Sequence, residues 1–464
     1  MQFNSFLFLI FFLTTYTCYI CSSHKWQNRV LLVASYLFYG AWDYRFLALI
    51  FFSTAANFIT GRAIHRSSVE SRRKAWLWAS VIINLGVLGF FKYYNFFSKV
   101  LADLIRDFGL GDQSFALHII LPVGISFYTF QAMTYSIDIY RKQLSPSPSF
   151  FDFALYISFF PQLIAGPIER ASTLLPQIHA KREVSANLVK TGTFLILFGL
   201  FEKTVVADNL AVLVDGVYGA KQPDGLSTLL ATYAFAFQIF ADFDGYSNIA
   251  KGLAALMGFR LSINFNAPYF SETPSEFWNR WHITLSGWLR DYLYIPLGGN
   301  RQGANKTARN LLITMFLGGL WHGASWMFIL WGLFHGALLV IYLPLKERLT
   351  QLPWFIRRLI FFHLVCLGWM LFRAQDPAHF SMLLQQIFLH FNFSLQKEHL
   401  LLIQKFLLYA SIPIGYQYLQ YRKNEFYAIA SWPIAARTLS YVLLFYMIVI
   451  FGLNNAQSFI YFQF

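Results

Sequence analysis

The chain has 464 residues, 57% of them hydrophobic and 20% aromatic, with only 12% charged and a mean hydropathy of +0.47. A soluble domain carries about 25% charged residues, so this composition excludes a soluble fold of that length and points to an integral membrane protein. The formal net charge of +14 does not mark a nucleic-acid binder, because the basic residues are dispersed between apolar runs instead of being massed on one polar face.

In chain order the apolar runs cover 3–20, 29–60 (two short runs meeting near Gly40), 75–97, 117–138, 151–166, 188–206, 226–258, 309–343, 356–373, 400–419 and 437–453. Some are double or interrupted, so at about 20 residues per crossing the expectation is an all-α, polytopic membrane protein with roughly ten to twelve membrane-crossing helices, plus re-entrant and interfacial helices. The first run has no Lys or Arg before it and no small-residue cleavage site after it, which predicts a retained helix rather than a signal peptide. Basic residues gather in short loops: Lys25 and Arg29, "GRAIHRSSVESRRK" at 61–74, then Arg141-Lys142, Lys181-Arg182, Lys346 to Arg348, Arg357-Arg358 and Arg422-Lys423. The positive-inside rule puts these loops in the cytoplasm. Loops 25–29 and 61–74 share a side if two crossings meet at "YGAWDYRF" (39–46), which places the N-terminus outside.

No repeat, low-complexity tract or polar linker divides the sequence, so one membrane domain over 1–464 is expected. Cys18, Cys21 and Cys366 make neither a disulfide framework nor a metal site, and are read as packing residues. The N-terminal third has ordinary spans, whereas 121–336 is repeatedly broken by Pro, Gly and ionisable groups. Membrane-depth interruptions are tolerated only where they are buried in protein or line a cavity, which places the working site in this region.

Four segments stand out there. "LPVGISFYTFQAMTYSIDIYR" (121–141) is broken by Pro122 and Gly124, and "FFPQLIAGPIER" (159–170) holds two prolines and Gly166. "FQIFADFDGYSNIAKGL" (237–253) sets Gln238, Asp242, Asp244 and Asn248 among apolar residues. In "SETPSEFWNRWHITLSGWLRDYLYIPLGGNR" (271–301), Thr273, Pro274 and Glu276 form a capping box that starts a helix at Pro274. Its mixture of aromatic and charged residues predicts an interfacial or re-entrant helix that runs to just before Pro296 and carries His282.

An ionisable group in a membrane span is by default a functional candidate, because its burial costs free energy. His322, in "GGLWHGASWMFILWGLFHG" (318–336), is therefore either a neutral imidazole that can accept a proton or a histidine tying helices together through a backbone carbonyl. His282 is either a second polar group that orients an acceptor or stabilises charge on a carbonyl oxygen, or a rim histidine on an amphipathic helix. His335, read as lying near the far end of the helix that carries His322, is assigned a structural or interfacial role. Asp242 and Asp244 have no second ligand cluster and are read as structural contacts to the capping or Arg-bearing segments rather than as a metal site. Arg301, Lys306 and Arg309, in the Gly- and Asn-rich loop 298–310, could hold the phosphates of a cytoplasmic cofactor or be an ordinary positive-inside loop.

Taken together, "LPVGISFYTFQ" (121–131), "FFPQLIAGPI" (159–168), "FADFDGYSNIAKGL" (240–253), "NFNAPYFSETPSEFWNRWHITLSGWLRDYLYIPLGGNR" (264–301), "GGLWHGASWMFILWGLFHG" (318–336) and "FIYFQF" (459–464) resemble the membrane-bound O-acyltransferase family. Within it, the likeness is to the bacterial branch that acetylates alginate. The resemblance implies helices surrounding a central tunnel, His322 of the "WHG" motif as the catalytic residue, and His282 of "RWH" lining the same site. It also implies acetyl-coenzyme A as a donor substrate rather than a permanently bound cofactor, membrane lipids as surroundings, and an exported polysaccharide as acceptor, reached directly or through a periplasmic acetyltransferase partner. The implied location is the bacterial cytoplasmic (inner) membrane. The sequence departs from the family pattern in having Asn248 where an aspartate is usual, Asp244 in place of a small polar residue, and Lys251 in place of an apolar one.

Three other readings compete with polysaccharide acetylation. D-alanyl transfer to teichoic acid would use the same scaffold. A lipid-linked sugar transporter predicts two halves with matching interruptions, and none are found. A scaffold subunit without chemistry would tolerate loss of both His282 and His322.

Overall fold

In the computed structural model, residues 1–464 are described except for 111–114, 165, 428, 430–431, 454–458 and 461–464. The described residues form helices and no strand, as expected for a chain whose backbone groups must be satisfied within each segment in lipid. Among the described residues, six helices are long and apolar enough to cross a membrane: Phe46–Arg66, Glu70–Asp107, Gly225–Leu256, Trp326–Thr350, Trp354–Arg373 and Ile434–Phe451. The other expected crossings fall on helices that are shorter or interrupted, such as Phe6–Ile20 and His24–Gly40. Of the cysteines, Cys366 is buried as expected, but Cys18 and Cys21 are exposed rather than packed.

The chain divides into two compact units, Met1–Gly192 with Ala250–Ser262, and Thr193–Ile249 with Ile263–Phe464. In the first unit, buried amides and hydroxyls join three helices. The Asn84 amide and the Ser80 hydroxyl both donate to Asn57 Oδ1 at 2.8 Å, and Ser80 lies 2.9 Å from the Ser136 hydroxyl. Such bonds hold helices together where lipid supplies no hydrophobic drive. The break expected at Pro122 and Gly124 is present. Gly124 adopts φ +75° to start Ile125–Tyr140, and a Cβ there would collide with the Leu163 carbonyl. The buried Glu169 carboxylate accepts from the Ser262 hydroxyl at 3.1 Å.

The second unit contains both candidate histidines. Its helices Ala304–His322 and Trp326–Thr350 pack glycine against glycine: a Cβ on Gly319 would strike the Phe328 carbonyl, and one on Gly332 the Met315 carbonyl. The stretch 318–336 is therefore two helices, not one. The first ends at His322, Gly323 is extended, and Ser325 caps the second by accepting from the Met327 N–H at 3.2 Å.

Candidate active site

The helix that begins at Pro274 forms as the sequence predicts. The Thr273 hydroxyl accepts from the Glu276 N–H at 3.1 Å, while the Glu276 carboxylate reaches back to the Glu272 N–H at 2.9 Å. It does not continue to Pro296, however. Pro274–Arg280 ends at an extended Trp281, His282 turns into the left-handed region at φ 41°, and Ile283–Leu289 begins anew. A left-handed non-glycine residue costs about 1–3 kcal/mol and persists only where its surroundings over-determine it. Here the preceding segment does so. Asn264 accepts the Ile283 N–H on its carbonyl at 2.9 Å and the Thr284 hydroxyl on its side chain at 2.7 Å, and the Asn266 N–H donates to the Arg280 carbonyl at 3.0 Å.

This turn drives His282 inward, so it is a fully buried residue and not a rim histidine. Its ring meets Phe243 edge-on at 4.6 Å between centroids and Trp321 at 5.9 Å. Burial pushes the His282 imidazole down to about 3, so it is neutral at physiological pH.

His322, also buried, is enclosed by Trp321 at 5.1 Å, Trp331 at 4.8 Å and Phe372 at 5.5 Å, all edge-on. Trp321 thus touches both imidazoles and joins them in one aromatic chamber. Phe328 and Trp331 belong to its wall, but Trp326 turns outward and is exposed. A Cβ on Gly323 would collide with the Phe328 ring, so the "WHG" glycine is required by this wall.

His335 is buried inside rather than interfacial, and sits on the next helix. Trp331 separates it from His322, with 4.8 Å between the Trp331 and His335 rings.

Arg301 lines a cleft of about 430 Å³ with Arg290, Tyr294 and the glycines 298 and 299. Lys306 and Arg309 are exposed on the helix that follows and do not line it. Arg309 instead lies 3.1 Å from the Asn310 side chain, whose amide donates to the Gly299 carbonyl at 3.0 Å.

Among the described residues, Asp242 contacts neither the capping segment nor an arginine. It pairs with Lys203 at 2.7 Å, and Lys203 also pairs with Asp208 at 2.8 Å. The other Asp242 oxygen accepts the Ile460 N–H at 2.7 Å. Asn248, at the family's usual aspartate position, donates to Glu202 at 3.0 Å. An amide there supplies a proton to a buried carboxylate, which a second carboxylate could not do while ionised. Sequence reasoning passed over Glu202, Lys203 and Asp208, although three ionisable residues in the apolar run 188–206 and just beyond it were the available signal. No group of His, Cys, Asp and Glu among the described residues could hold a metal ion.

The model of the membrane-bound O-acyltransferase family matches residues 76–374. The chain belongs to that family. It is 42% identical over 384 residues to the probable alginate O-acetylase AlgI of Pseudomonas aeruginosa, covering 81% of this chain and 72% of the relative. The protein of the same name from Azotobacter vinelandii is 42% identical over 381 residues, 81% of this chain and 76% of the relative. The peptidoglycan O-acetyltransferase of Helicobacter pylori is 37% identical over 381 residues, 75% of this chain and 71% of the relative. The chain is thus an integral membrane O-acyltransferase.

Proposed function

We propose that this acyltransferase takes an acetyl group from acetyl-coenzyme A at the cytoplasmic face and delivers it across the bacterial inner membrane to an exported polysaccharide such as alginate. Delivery is direct or through a periplasmic acetyltransferase, and the N-terminus lies outside. The observation that carries the reading is the pair of buried imidazoles, His282 and His322, joined by Trp321 in an otherwise aromatic chamber. The O-acetyl names of the relatives support acetyl over D-alanyl as the transferred group.

In this mechanism neutral His322 accepts the proton of the acceptor hydroxyl as its oxygen bonds to the acyl carbon. The carbon–sulfur bond breaks with its electron pair going to sulfur, and His322 returns the proton to the leaving thiolate. His282, held by its constrained turn, orients the acceptor. Arg301, with Arg290 beside it, holds donor phosphates at the cleft, while Lys306 and Arg309 add positive charge on the following turn.

The test uses bacteria lacking their own polysaccharide acetylation. Expression of this chain with its periplasmic partner should restore acetyl signals in the proton NMR spectrum of the exported polysaccharide. His322→Ala at matched membrane abundance should restore none. Acetylation by the variant would refute the base assignment, and its absence with the unaltered chain would refute the acceptor.

A further inference from the structure

The surroundings of His322 have a second feature, a group of buried polar ring atoms beyond Trp331. The indole nitrogens of Trp278, Trp331 and Trp369 and Nε2 of His335 are all buried, and none has a hydrogen-bond partner among the described residues. These four rings form one contact network. Trp331 meets Trp278 at 5.8 Å, His335 at 4.8 Å and Trp369 at 6.2 Å, and its ring lies 4.8 Å from His322. A buried donor left unsatisfied loses its hydration without compensation, and such groups in a native fold call for a reason.

An indole nitrogen can only donate. Three buried indole donors in apolar surroundings suit a ligand that is apolar in body and offers an acceptor oxygen. An acyl carbonyl has that chemistry.

We propose that Trp331 is a catalytic residue that contacts the acyl group and donates its indole N–H to the carbonyl oxygen. This rests on the acyl-transfer reading given above. As the acceptor oxygen bonds to the acyl carbon, the carbonyl π pair moves onto that oxygen, and the indole N–H stabilises the resulting charge without giving up its proton. The pair then re-forms the carbonyl as the carbon–sulfur bond breaks. A donor fixed in a water-poor site is worth most at this moment, because it needs no reorganisation. His335 packs against the Trp331 ring, and its Nε2 edge lies against Gly368, where a Cβ would come within 2.7 Å of that nitrogen.

The test replaces Trp331 with benzothienylalanine, which keeps the bicyclic shape and removes only the N–H, alongside Trp331→Phe. Purified protein is given acetyl-coenzyme A and acceptor, thiol release is followed, and the carbonyl stretch of enzyme-bound acetyl-coenzyme A labelled with carbon-13 is read by infrared difference spectroscopy. Both variants should lose about 10²–10³-fold in kcat, the range for one oxyanion donor, with little change in KM. The bound carbonyl should shift to higher frequency than in the unaltered protein. Unchanged kcat and carbonyl frequency in the benzothienylalanine protein would overturn the assignment while leaving the acyl-transfer reading intact. No thiol release by the unaltered protein would overturn both.

Discussion

Two buried polar regions of the second unit follow opposite rules. Around Lys203, charge meets charge: the ammonium pairs with Asp208 and Asp242, and each of these side chains is 5% exposed or less. Around His282 and His322 the neighbours are rings that can be neither protonated nor deprotonated near neutral pH. Burial is common to both, so burial alone does not mark a reaction centre. A lysine held by two carboxylates is committed to its partners, whereas the two imidazoles are set among aromatic rings. On the proposed reading, the first region serves stability and the second turnover.

The largest expected effect separates the two directly. His322→Ala should lower acyl transfer by at least about 10²–10⁴-fold, the contribution of a general base, while the thermal unfolding midpoint in detergent stays close to that of the unaltered protein. Lys203→Ala should show the reverse pattern. Stranding two buried carboxylates costs about 3–5 kcal/mol, seen as a lowered midpoint, while the protein that remains folded turns over normally. If Lys203→Ala abolished turnover without destabilising the protein, the division would be wrong.

His282 sharpens the comparison through pH. Its folded value of about 3 lies below the ordinary histidine value of about 6.5, so on acidification the unfolded chain takes up a proton that the folded chain refuses. Its contribution to stability is therefore constant above pH 6.5 and falls by about 1.4 kcal/mol per pH unit between 6.5 and 3. Denaturation titrations from pH 7 to 5 should differ between the unaltered protein and His282→Asn by this slope, whatever the other buried groups add to both. The smallest effect lies outside both regions: Thr273→Ala removes a helix cap and should cost about 1 kcal/mol, read as a small drop in midpoint.

How much of this was legible in the sequence depended on the range of each interaction. The Thr273 cap and the break at Gly124 are local, and both were readable. The turn at His282 was not, because Asn264 and Asn266, more than a dozen residues upstream, impose it against the helical periodicity of 274–295. The division of 318–336 into two helices depends on how Gly319 and Gly332 meet, which residue types alone do not reveal. In the same way, Asp242 was visible as a buried carboxylate, but its partner Lys203 lies on another helix. The histidines themselves were found because an ionisable residue in an apolar run announces its cost. The tryptophans beside them are chemically inconspicuous in a chain that is 20% aromatic.

The central claim is that His322 is the base of a thioester-consuming acyl transfer, and thiol release by purified protein tests it most directly. With acetyl-coenzyme A and an acceptor polysaccharide, the unaltered protein should release free thiol continuously, and His322→Ala, equally folded and equally abundant, should release it only at the background rate. Thiol release by that variant at the rate of the unaltered protein would contradict the account.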